Sequence, residues 1–188
     1  FQNTDYPENE WNASMMRGGL VYSDYITTVS NSYAEEIQTP QFSDGLDDIL
    51  KWRNNRLWGI INGLDYSIWN PSTDSKIAQN YNLETLKKGK EANKMAMQRR
   101  LGLKEDGKVF TIGLISRLTD QKGLDLIDQC MDQICSMNIN LVILGTGDRR
   151  YEDMFRYYAT KYPGKVSANI CYSDELSHLM YAGCDASV

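Results

Sequence analysis

The sequence predicts an α/β fold with parallel sheets, shared between two domains. Three observations carry that reading. From residue 109 onward, strand-like and helix-like segments alternate three times, the order that builds a parallel sheet. The strand-like segments "VFTIGLIS" and "LVILG" are nearly continuous apolar runs, as in strands covered on both faces, and do not alternate apolar with polar. A turn-rich stretch without any period, "NGLDYSIWNPSTD", separates this series from a shorter strand–helix run before it.

In chain order, "WNASMMRGGLVYSD" reads as a helix with a weak point at Gly18-Gly19, and "YITTVS" as a strand. Ser32-Tyr33-Ala34-Glu35 fits a capping box opening a short helix. "DGLDDILKWRNN" is an amphipathic helix and "RLWGII" a buried strand, with Trp11, Trp52, Trp58 and Trp69 expected in the core. The connector holds Asn62-Gly63 and Asn70-Pro71, so a domain boundary falls near residues 62 to 66. "LETLKKGKEANKMAMQRRLGL" is a long charged helix whose predicted buried side is Leu86, Ala92, Met95, Ala96 and Leu101.

After the strand "VFTIGLIS", helical spacing of Leu124, Ile127, Met131 and Ile134 predicts a helix over 123–137, with Cys130 and Cys135 beside that face. "LVILG" is the next strand. The helix "RRYEDMFRYYATKY" puts Tyr151, Met154, Phe155 and Tyr158 on one side and is stopped by Pro163-Gly164. "KVSANICY" is a third strand, "DELSHLMYAG" a third helix with Asp174 as N-cap, and "CDASV" opens a further strand.

Composition narrows the function. Of 188 residues, 41% are apolar, enough for a real core, and the formal net charge of −5 without any Lys/Arg block excludes a nucleic-acid partner. No apolar run is long enough to span a bilayer, so no membrane is expected. Cys130, Cys135, Cys171 and Cys184 form no C-x-x-C pair and read as reduced core thiols of a cytoplasmic protein. His178, the only histidine, reads as a surface or packing residue without a partner. No Ser/His/Asp set and no metal-ligand cluster can be assembled, and no cofactor or metal is expected.

In open parallel sheets, ligands bind beyond the carboxyl ends of the strands. Three such ends carry polar groups here: Ser116-Arg117 with Lys122, the "GTGD" of Gly145 to Asp148, and Tyr172-Ser173-Asp174. Arg117 offers a fork of donors for phosphate oxygens and Lys122 a mobile point charge. Glycines allow close backbone approach and leave N–H groups for a ligand, and an aromatic ring can stack on a base. Together these suit a nucleoside diphosphate. Singly, each has a plainer reading as solvated charge, turn or packing residue. The glycines also fail the dinucleotide fingerprint, because Arg150 occupies its third glycine position.

"TTVSNSYAEEIQT", "GIINGLDYSIWNP", "SRLTDQKGLDL", "VILGTGD" and "LMYAGCD" resemble, in order and spacing, successive motifs of bacterial glycogen synthase and plant starch synthase. The resemblance implies a GT-B fold of two Rossmann-like domains. Residues 1–61 would end the acceptor-side domain. Residues 62–188 would supply the connector and the first half of the nucleotide-sugar-binding domain. It implies glucose transfer from ADP-glucose to the non-reducing end of an α-1,4-glucan, with retained configuration and no metal. By resemblance, Arg117 and Lys122 hold the donor diphosphate, Tyr172 stacks on adenine, Asn62 lies near the sugar, and Thr146 and Gly147 sit beside the nucleotide. Asn31 stands where proline is common in that family, and Cys171 and Cys184 where small residues are common. The family's lysine-containing glycine loop is absent from this stretch, and its loop with the essential glutamate is expected just past Val188. The rival readings are another GT-B sugar-nucleotide transferase and a catalytically silent glucan-binding scaffold.

Overall fold

The computed structural model describes residues 14–188, so the expected core role of Trp11 lies outside the described residues. The chain forms two compact units, Phe1–Leu64 and Asp65–Val188. The first holds α1 (Met15–Tyr22), β1 (Ile26–Thr28), α2 (Asn31–Glu36), α3 (Asp47–Trp52) and β2 (Leu57–Gly59). β1 and β2 pair in parallel, Ile26 opposite Leu57 and Thr28 opposite Gly59. The Arg53 guanidinium closes this unit by donating to the carbonyls of Val21, at 2.6 Å, and Ser23. A side chain at Gly59 could not be housed, since its Cβ would lie 2.2 Å from the Ser30 carbonyl.

Two expectations change here. The cap of α2 is Ser30, whose extended backbone lets its Oγ accept from Tyr33 N–H at 2.9 Å; Ser32 is already helical and cannot cap. The strand "RLWGII" is not buried. Trp58 on β2 is 57% exposed, and Trp52, the last residue of α3, is 66% exposed. Trp58 instead meets Tyr25 edge-on.

The second unit is a four-stranded, all-parallel sheet of order β5-β4-β3-β6, with β3 Phe110–Ile115, β4 Ile139–Leu144, β5 Val166–Asn169 and β6 Ala186–Ser187. The pleat divides the core in two. Leu141 and Ile143 of β4 join α5 (Leu124–Ser136) and α6 (Arg149–Lys161) through Met131, Tyr151 and Phe155. Val142 and Leu144 point the other way, to α4 (Leu86–Arg100) and α7 (Asp174–Gly183) through Met97, Leu179 and Met180. Covering on both faces is why these strands are written as continuous apolar runs. Among the described residues, no helix is long and apolar enough to cross a membrane.

The buried side of α4 departs from the expected one. Asn93, Lys94 and Gln98 are buried with Met97, while Leu86 is exposed. Each polar group is paired. Asn93 Oδ1 accepts from Ala78 N–H at 2.8 Å and Gln79 N–H at 3.1 Å, and Gln98 bridges both backbone groups of Asp106. Lys94 Nζ donates to both carboxylate oxygens of Asp185, at 2.8 and 2.6 Å, and to the Val109 carbonyl at 3.2 Å. Asp185 also accepts from Thr111 N–H at 2.7 Å. At the start of α7 the cap is Ser173, not Asp174: the extended Ser173 accepts from Leu176 N–H at 3.2 Å, leaving the Asp174 carboxylate free to reach Lys76.

Only two of the four thiols sit in the core. Cys135 and Cys184 are buried, while Cys130 and Cys171 are exposed, because Cys130 faces away from the Leu124–Met131 stripe and Cys171 lies past the end of β5. Burial pushes the Cys184 thiol up to about 12 and raises Cys135 as well. Only the thiolate reacts. Iodoacetamide at neutral pH should therefore alkylate Cys130 and Cys171 in the native protein and reach Cys135 and Cys184 only in denaturant. Peptide mapping reads this directly, and native labelling of Cys184 would contradict its packing.

Candidate functional site

The candidate site stands at the carboxyl ends of β3, β4 and β5, which lie side by side in the sheet. The loops after β3 and β4 are fused into one platform. Leu118, fully buried, donates its N–H to the Thr146 carbonyl at 2.9 Å and accepts from Asp148 N–H at 2.8 Å, a parallel bridge with Gly147 opposite. Here the glycines have a steric reason. A Cβ at Gly145 would lie 1.9 Å from the Ser116 carbonyl, and one at Gly147 would lie 2.2 Å from the Leu118 carbonyl. Their N–H groups, expected free for a ligand, are engaged: Gly145 donates to Asn169 O at 3.2 Å and Gly147 to Glu152 Oε1 at 3.0 Å.

The β3 loop continues as a 3-10 turn, Asp120–Lys122, ended by Gly123 at φ 64°, a left-handed conformation natural to glycine. Asp120 fixes that turn to α6, accepting from the Tyr151 hydroxyl at 2.6 Å and pairing with Arg150. Arg117 and Lys122 are left at the surface of this anchored loop. Both are exposed, and among the described residues neither side chain has a hydrogen-bond or ion-pair partner. Two exposed cations without partners thus stand on the loop that Asp120 anchors to α6. Thr146 is exposed beside them, with its carbonyl already taken by Leu118.

Tyr172 follows β5 and is 91% exposed, so it does not pack; its ring is open to solvent at the third strand end. Thus Arg117, Lys122, Thr146, Gly147 and Tyr172 share one edge of one sheet. Asn62 is exposed in the first unit.

A cluster behind Tyr172 escapes sequence reading. His178, expected to lack partners, is buried, stacked on Trp69 at 3.8 Å between ring centres and 9° between planes. Its Nδ1 lies 2.5 Å from Asp74 Oδ2 and its Nε2 3.4 Å from Lys76 Nζ. Lys76 also pairs with Asp174 and holds that carboxyl below the usual carboxylate range. The partners lie roughly a hundred residues apart in sequence, so no local pattern announces them.

Comparison with known proteins gives concordant results. The family described as "Starch synthase catalytic domain" matches residues 1–52. A glycogen synthase of Lachnospira eligens is 55% identical over 174 residues, covering 93% of this chain and 36% of that protein. One of Lachnoclostridium phytofermentans is 51% identical over 182 residues, 97% of this chain and 38% of the relative. The catalytic domain of starch synthase IV from Arabidopsis thaliana, solved bound to ADP and acarbose, superposes with a TM-score of 0.84 at 32% identity, covering 92% of this chain and 36% of that one. The chain thus spans a little over a third of the length of these relatives.

Proposed function

We infer, from the premise that this chain is a relative of the glycogen and starch synthases and shares their GT-B α/β architecture, that it supplies the diphosphate and base contacts of a glucosyltransferase. In the full-length protein, glucose would pass from ADP-glucose to the non-reducing end of an α-1,4-glucan with retained configuration. The observation that carries this reading is the pair of unpartnered cations, Arg117 and Lys122, held on the loop after β3 beside the "GTGD" loop. When the bond between glucose and the diphosphate breaks, negative charge grows on the leaving group. Cations fixed beforehand stabilise it without reorganising. Arg117 and Lys122 supply that neutralisation themselves, and the reading needs no metal or cofactor. Tyr172 would offer its open ring to adenine, while Thr146 and Gly147 border the nucleotide and Asn62 contributes on the sugar side. The four free thiols support a reducing, cytoplasmic setting.

The test is donor binding by calorimetry, with ADP as probe and a soluble glucan as control. Tyr172→Ala should weaken ADP binding by about 1–3 kcal/mol, the scale of base–aromatic stacking, and leave glucan binding unchanged. ADP affinity equal to that of the wild type would remove Tyr172 from the site.

A further inference from the structure

Tyr172 has no side-chain anchor. Among the described residues its ring has no hydrogen bond or ring contact, so its place is set through the backbone it shares with Ser173 and the first turn of α7. Two cations grip that turn from outside the helix: Lys76 on Asp174, and Arg100 on Glu175 at 2.6 Å. Lys76 is itself held firmly. Its N–H donates to Asp74 Oδ1 at 2.8 Å, and the other oxygen of that nearly buried carboxylate meets His178 Nδ1. Asp174 Oδ1 also stands 3.6 Å from His178 Nε2, so Asp74, Asp174 and Lys76 all face the imidazole. Trp69 stacks on the imidazole, and Tyr181 meets Trp69 edge-on at 5.4 Å. Residues 69–76 and α7 thereby close a ring of contacts: Asp74 to His178, His178 to Lys76, and Lys76 to both Asp174 and Asp74.

From this ring we infer that Lys76 and Asp174, backed by Asp74 and His178, are positioning residues for the donor base, fixing the first turn of α7 and with it the ring of Tyr172. The inference rests on the reading of Tyr172 as the adenine platform. A stacking ring contributes only when it stands at the right distance from the site that holds the phosphates, and a loosely supported group loses most of its effect.

Two probes separate positioning from general loosening: ADP, which has a base, and inorganic pyrophosphate, which has none. The Lys76–Asp174 pair is well exposed, so breaking it should leave the protein folded. Lys76→Ala and Asp174→Ala should each weaken ADP binding about tenfold, toward the lower end of what removing a stacking ring costs. Pyrophosphate affinity should not change. Equal weakening of both probes would show a disturbed loop platform and overturn the inference. If Tyr172→Ala weakens ADP binding and the two clasp variants do not, the inference falls alone. If Tyr172→Ala leaves ADP binding intact, the base-platform reading falls and takes the clasp with it.

Discussion

Arg117→Ala, assayed in a full-length synthase carrying this segment, should lower kcat by about 10²–10³, the cost of removing one preorganised donor aimed at developing charge. The donor KM should rise far less. Charge on the leaving diphosphate grows as the bond to glucose breaks, so a fixed cation interacts more strongly with the transition state than with bound donor. Lys122→Ala should behave alike, since Lys122 sits on the 3-10 turn that Asp120 anchors to α6. Arg117→Lys should rescue poorly, because a point charge cannot reproduce a two-pronged contact. Neither cation takes part in the packing, so both variants should melt with the wild type. Near-normal kcat in folded alanine variants would show these side chains to be solvated charge and nothing more.

Asp185→Ala should destabilise the second unit by about 3–5 kcal/mol, because it strands a buried ammonium. The side chain of Lys94 is 8% exposed and that of Asp185 26%, so the two single substitutions should not be equal. Lys94→Ala leaves a carboxylate that water can reach and that still accepts from Thr111 N–H. Asp185→Ala leaves Lys94 Nζ with only the Val109 and Gly107 carbonyls. Combining Asp185→Ala with Lys94→Met removes the stranded charge and should recover part of the loss. Recovery stays partial, since Thr111 N–H and the Val109 carbonyl lose partners. Melting followed by circular dichroism measures all three. An Asp185→Ala protein melting within a degree of the wild type would show that the pair is idle.

The parallel sheet was legible because β3 and β4 bury both faces, and such strands have no choice but continuous apolar sequence. Helix α6 was legible for a similar reason: Tyr151 and Phe155 form its buried stripe, with Met154 and Tyr158 packed beside them. Helix α4 was not. Its buried face uses Asn93, Lys94 and Gln98, and these are tolerable inside only because loop backbones and Asp185 satisfy them. A periodicity argument sees the polar letters and not the distant partners. The caps were misplaced by one or two residues because several neighbouring side chains can cap, and backbone angles decide among them. That Arg117, Lys122 and Tyr172 follow the carboxyl ends of strands was readable from the sequence. The Leu118–Gly147 bridge that joins two loops, and the His178 cluster, depend on pairings that spacing along the chain does not encode.

The Lys94–Asp185 pair also sets a timetable for synthesis. The two residues are 91 positions apart, so at about 5–20 residues per second the ribosome delivers the carboxylate roughly 5–20 s after the lysine. Until then α4 cannot settle on the sheet without sealing an unpaired charge beneath it. Helix α4 therefore meets its charge partner, and with it the α7 side of the Met97, Val142 and Met180 cluster, only when the last residues of the unit arrive.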